Sequence, residues 1–419
     1  MKTKPFKQLP PPVVEQRSAA SAPTNTRKVA RHPIPLWRFA VLLILIIYHS
    51  FSRFGTMSSA QVDLSQYSKS IFVPFIHKFS IKHDPQVICT IEGIKIKMPV
   101  DTGSTGLLIG APMLPNLSST IGTPAHHFFT SSKILYVGRL VELPINFHGE
   151  GSSYASATVP VFIVDKSWRC PAYDPSKDTF ECPLGPNGEK PVERDTSHIT
   201  YMGVGFGRNQ PRDGMPFGAP KLNPLLNIVS LDGEPVDSSS MRAGYSISTA
   251  GVQIGLTQDN IRNFAFINLE PGLTHSQDQR DWAMARMCFN TDDGEPNCGA
   301  ALVDTGIAQM YLRADKDRSI PTIHIRNPNK HGYAKMVKRV KPGTSVGIGF
   351  PSLQAPVASY SLIVGGESIN EPSAVIPLNQ TAPPYINTGR SFLFDYSIAF
   401  DATGGRFGFR PTRSPGAVL

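Results

Sequence analysis

The chain has 419 residues, of which only 17% are charged, with 35 Gly and 38 Pro. That length allows two domains and a large core, and the turn-rich composition argues against a helical bundle. The net charge of +9 is gathered at one end: residues 1–60 hold nine Lys or Arg and one acid, Glu15, for +8, which leaves about +1 for the rest. No basic stripe with interleaved aromatics marks that remainder, so nucleic-acid binding is set aside.

In chain order, residues 1–35 are rich in Pro, Ser, Ala and basic side chains and lack an apolar period. A disordered basic tail is expected there. Within residues 36–52 an apolar run extends from Phe39 to Tyr48. It is shorter than the roughly 20 residues that span a bilayer comfortably. It fits a signal anchor or the apolar region of a signal peptide. The long basic stretch before it favours an uncleaved anchor with the tail in the cytosol. A single-pass type II protein follows, with a lumenal or extracellular body. Secretion after cleavage near Ser58-Ser59-Ala60 is the alternative. Residues 53–75 read as a stem, 76–240 as an N-terminal lobe and 241–419 as a C-terminal lobe.

The body reads as short β runs punctuated by Gly, Pro and Asp. Candidates are Val87–Ile91, Ile94–Val100, Thr158–Val164, Gly251–Leu256, Ala300–Val303, Ser361–Val364 and Phe392–Phe400. Lys221–Leu231 is the best helical candidate, and residues 166–198 read as a surface insertion. Cys170 with Cys182, and Cys288 with Cys298, are close pairs in polar loops and are expected to form disulfides. Cys89 falls in an apolar strand and is expected to be a buried thiol. Asn116 and Asn379 begin glycosylation sequons that suit the same compartment.

Two tripeptides, Asp101-Thr102-Gly103 and Asp304-Thr305-Gly306, each end an apolar run and stand 203 positions apart. They suggest two related halves, each presenting one carboxylate. Two carboxyls about 3 Å apart cannot both ionise and share one proton. The ionised partner can take a proton from water while the protonated one hydrogen-bonds a carbonyl oxygen, which hydrolyses an amide without a covalent intermediate. Glycine permits the tight turn that exposes the carboxylate. Thr102 and Thr305 are expected to bond backbone across a two-fold axis.

Over residues 80–410 these features resemble the pepsin-like aspartic proteases. Asp101–Ile109 resembles the first active-site loop, with Ser104 supporting Asp101. Tyr201–Gly207 resembles the segment that threads behind it. Ala243–Ser248 resembles the strand that opens the second lobe, and Gly389–Phe409 the closing strands. The resemblance implies an all-β, bilobal fold with a central cleft, and an aspartic endopeptidase acting on a peptide or protein as a monomer. Asp101 and Asp304 would be catalytic, without metal or cofactor.

The chain departs from that pattern in several places. Ile307 stands where the family carries a hydroxyl, so weak, acid-shifted activity is expected, restored in part by Ile307→Thr. The family's flap motif is missing, and Tyr136 is the nearest aromatic. Asn387-Thr388 replaces the apolar pair before Gly389. These departures keep two alternatives open: an inactive pepsin-fold protein that binds a peptide or protein partner, and an acid–base enzyme acting on a metabolite. Two other motifs carry less. Ser345 sits in a G-x-S-x-G pattern, but Gly349-Phe350-Pro351 cannot start the helix a nucleophile elbow needs. His126, His127 and His148 lack acidic ligands at metal spacing and are expected at the surface or in a flap loop.

Overall fold

The computed structural model describes residues 63–129, 132–177, 179–185, 187–208, 218–329, 334–366, 368 and 371–412. The basic tail and the apolar segment 36–52 lie outside the described residues. Among the described residues no helix is long and apolar enough to cross a membrane.

Alternation of apolar and polar residues builds the first lobe. In Gln86–Ile91, Val87, Cys89 and Ile91 are buried while their neighbours are not, and this strand pairs in register with Ile94–Pro99. Glu92-Gly93 joins them, both with positive φ (50° and 76°), as a two-residue hairpin turn requires. The chain then reaches Asp101. The next strand, Thr105–Gly110, is buried throughout. It lies antiparallel to Thr200–Val204 and parallel to Tyr154–Arg169. A buried strand flanked on both sides can afford no polar alternation.

The second lobe repeats this plan. Strands Ala285–Thr291 and Asn297–Leu302 form a hairpin that leads to Asp304. Strand Met310–Arg313 then lies antiparallel to Tyr385–Asn387 and parallel to Val375–Pro377. A six-stranded sheet completes the body and includes Arg242–Ile247, Gly251–Leu256, Tyr396–Asp401 and Arg406–Pro411. From it the buried Tyr245 hydroxyl donates to the carbonyl of Val204, and the Phe206 ring stacks on Phe400 with centroids 4.1 Å apart. The fold is therefore all-β and two-lobed, with short 3₁₀ turns and no α-helix among the described residues.

Several local expectations change. Lys221–Leu231 is not a helix but two 3₁₀ turns, Pro220–Leu222 and Pro224–Leu226, followed by strand Ile228–Leu231. Each proline starts a turn well, but Pro224 inside a longer helix would clash with the preceding turn. Buried Asn223 spends its amide on the carbonyl of Val204 at 2.8 Å. Phe392–Phe400 begins as a 3₁₀ turn, Arg390–Phe394, and only Tyr396–Asp401 is strand. Residues 166–169 belong to the end of a long strand rather than to an inserted loop.

Both expected disulfides are formed, Cys170–Cys182 and Cys288–Cys298, and Cys89 is a buried thiol whose pKa burial raises. Cys288 and Cys298 lie directly across two strands and not in a loop. Asn116 and Asn379 are both exposed. Ser345 opens the strand Ser345–Phe350, with no helix after it.

His127 is buried, not on the surface, at 4% exposure, with its ring edge-on to Phe129. Burial, helped by His126, lowers its pKa from the ordinary 6.5 to about 4. The folded state thus holds His127 neutral where the unfolded chain would protonate it. Its contribution is complete above pH 6.5 and is lost as pH falls toward 4, by about 3 kcal/mol. Denaturant unfolding of the native protein and His127→Phe from pH 7 to 4 should show this slope in the native protein alone.

Candidate active site

The two Asp-Thr-Gly loops meet where the lobes join. The Thr102 amide donates to Thr305 Oγ1 at 3.0 Å, and the Thr305 amide donates to Thr102 Oγ1 at 3.0 Å. Each hydroxyl then donates onward across the lobes, Thr102 to the Val303 carbonyl and Thr305 to the Val100 carbonyl, both at 2.5 Å. Both threonines are buried, at 5% and 0% exposure. Four reciprocal bonds in a low-dielectric interior leave the loops little freedom, since each lost bond strands a buried polar group.

That clasp brings the carboxyls together. A Cβ added to Gly103 would lie 2.3 Å from the Asp304 carboxyl, and one added to Gly306 would lie 2.3 Å from Asp101 Oδ1. Each glycine is thus required by the opposite aspartate. The amide of Gly103 donates to Asp101 Oδ1 at 2.7 Å, and that of Gly306 to Asp304 Oδ1 at 2.8 Å. The environments then diverge. Asp101 is half-buried, whereas Asp304 is 5% exposed. Burial first, and the negative charge of Asp101 second, raise the pKa of Asp304 well above the usual carboxylate range.

The second oxygens also have donors. Ser104 Oγ donates to Asp101 Oδ2 at 2.5 Å. Asn387 Nδ2 donates to Asp304 Oδ2 at 2.6 Å. The oxygen left without a hydroxyl by Ile307 is therefore satisfied by an amide from another strand. Asn387 lies 7% exposed and its own Oδ1 accepts from the Gly389 amide at 3.0 Å, which fixes its orientation. Sequence reasoning missed this role. Its signal was present: a hydroxyl lost at Ile307 and a polar residue gained at Asn387, in the one segment that threads behind the loop.

Tyr201 is the second residue that was missed. It precedes Gly203 by two positions, as Asn387 precedes Gly389, and Gly203 bridges to Asp101 in the parallel sense. Burial, then the charge of Asp101, hold the phenol neutral far above its ordinary range. Tyr136, the flap candidate, lies in the hairpin of strands Thr123–Phe129 and Ile134–His148. Its ring packs edge-on against Phe129 at 5.4 Å, and Phe129 in turn faces Tyr201 at 6.3 Å. Behind the second loop, Arg390 donates to the Gly306 carbonyl at 2.9 Å and pairs with Asp84. Among the described residues no group of three His, Cys, Asp or Glu could hold a metal ion.

No family model matches the chain, and no curated protein matches it. Among solved structures, an aspartic proteinase from Irpex lacteus aligns with 83% of this chain and 99% of its own, at 11% identity and a TM-score of 0.45. A likeness of that depth adds nothing to the geometry above. The repeated topology and the two clasped loops make the body a two-lobed, all-β protein.

Three outcomes follow. Asn387→Leu should push the Asp304 pKa higher still and, if the pair catalyses hydrolysis, cost about 2 kcal/mol of transition-state stabilisation, roughly a thirtyfold loss in kcat. Ile307→Thr should change kcat by less than about threefold, because the oxygen it would serve already has a donor; this replaces the gain expected from sequence. Thr102→Val should lower unfolding free energy by about 2–4 kcal/mol, since it strands both the Thr305 amide and the Val303 carbonyl. Steady-state kinetics and denaturant melts decide all three.

Proposed function

We propose that the protein is an aspartic-type endopeptidase, hydrolysing peptide bonds with a water activated between Asp101 and Asp304. The observation that carries this reading is the pairing of a half-buried carboxyl with a buried one whose surroundings keep its proton on. Asp101, the more open, is the base that takes a proton from water as its oxygen attacks the carbonyl carbon. Asp304, kept protonated by burial and by its neighbour, donates to the carbonyl oxygen. Proton return to the amide nitrogen then lets the carbon–nitrogen bond break. The Gly103 and Gly306 amides, Ser104 and Asn387 hold both carboxyls in place at no reorganisation cost.

The setting we propose is a lumenal or extracellular body on a membrane anchor. Two disulfides and the exposed sequon at Asn116 support it. A second reading, a binding protein without turnover, is favoured by Tyr201, whose phenol feels the charge of both carboxyls and so crowds the space that a substrate and water would need.

Digestion of a broad peptide library from pH 3 to 7 separates the two. Cleavage by the native protein, lost by at least about a thousandfold in Asp101→Asn and Asp304→Asn, supports the enzyme. Peptide capture without cleavage supports the binder. Stability gives an independent check. Asp304 has a raised folded pKa, so its burial destabilises the native state as pH rises above the unfolded value. Asp304→Asn should therefore raise the melting temperature at pH 7 and leave it nearly unchanged at pH 3.

A further inference from the structure

The near-neutral charge of the body conceals a local excess. Residues 313–341 hold nine Lys or Arg and two acids, a net of +7. Much of this stretch folds as a separate two-stranded sheet, Thr322–Arg326 against Met336–Val340. Directly paired residues share a face, so Thr322, His324 and Arg326 stand beside Val340, Lys338 and Met336. Its outer part is exposed and basic.

Thr322 and Lys338 from that face help line a concave basin of about 560 Å³. The loop carrying Lys316 and Arg318, and the segment Pro377–Gln380, complete it. The basin is built rather than loose. Arg318 donates to the Pro296 carbonyl at 2.6 Å, and the Gln380 amide donates to the carbonyls of Asp315 and Arg318. Among the described residues, no ion pair engages Lys316, Arg318 or Lys338. Three unpaired cations in one concavity concentrate positive potential.

The rest of the lining narrows the ligand. Asp317 stands among the cations, which penalises a chain carrying uninterrupted negative charge. Ile320 and Leu378 offer apolar contact to side-chain stems. We propose that this basin docks an acidic segment of a polypeptide, its carboxylates meeting Lys316, Arg318 and Lys338. The site shares no lining residue with the two Asp-Thr-Gly loops, so it does not depend on the catalytic reading.

The test is anisotropy of a short labelled peptide of Glu, Leu and Gly against the full chain, with a counterpart carrying Gln for Glu. Both the parent and the charge variant carry Asn379→Gln, so that no glycan fills the basin. The basic N-terminal segment is common to both, so only their difference reports the basin. Lys316→Glu/Lys338→Glu should weaken the acidic peptide by at least about tenfold, the Gln peptide should bind the parent equally poorly, and added salt should erase the difference. Both lysines are exposed, and Lys316→Gln/Lys338→Gln, with a smaller loss, guards against misfolding. Equal binding of the acidic peptide by parent and variants overturns the proposal, as does equal affinity for the Gln peptide. Loss of heparin or anionic-vesicle binding alone would also overturn it, by assigning the face to those ligands.

Discussion

Everything at the centre of this molecule depends on the exchange between Thr102 and Thr305. Two carboxyls repel, and burying one of them is costly. The chain accepts that cost only because four reciprocal hydrogen bonds leave the loops no alternative position. The glycines follow from the same constraint, since any side chain at Gly103 or Gly306 would collide with the opposite carboxyl. The duplicated hairpin-to-aspartate topology is the scaffold that presents two such loops to one another. The six-stranded sheet braces them from below through Tyr245, whose hydroxyl bonds the Val204 carbonyl just where the Val204 amide bonds Asp101.

Desolvation acts twice, with opposite sign. It raises Asp304, which keeps a proton on that carboxyl, and it lowers His127, which resists protonation. Acidification therefore loads the carboxyl pair while it erodes the hairpin that carries His127. For the proposed peptidase, these two groups would limit the working range on the acid side by stability and on the alkaline side by loss of the proton on Asp304. The carboxyl pair is also unequal by construction: Asp101 is supported by a hydroxyl close in sequence, Asp304 by an amide from a distant strand.

How much of this the sequence discloses depends on how local each device is. The aspartate loops, their glycines and the threonines are tripeptides with a chemical logic, and their duplication makes them readable. The disulfides are readable because their partners are near neighbours. Asn387 is not, because its function exists only when a parallel strand pairing places it behind Asp304; alone it is one polar residue in an apolar strand. Tyr201 is masked in the same way by looking like ordinary core beside a glycine. The Lys221–Leu231 helix fails because Pro224 interrupts it and buried Asn223 bonds the Val204 carbonyl instead. The basic sheet was hidden by averaging charge over the whole body.

The central claim, that Asp101 and Asp304 share one proton, is tested most directly by titrating ¹³C-labelled aspartate carboxyls by NMR. The account requires one carboxyl to titrate well above the ordinary range near 3.9, and to move part of the way back when Asp101→Asn removes the neighbouring charge but not the burial. A native protein in which every aspartate titrates in the ordinary range would contradict it.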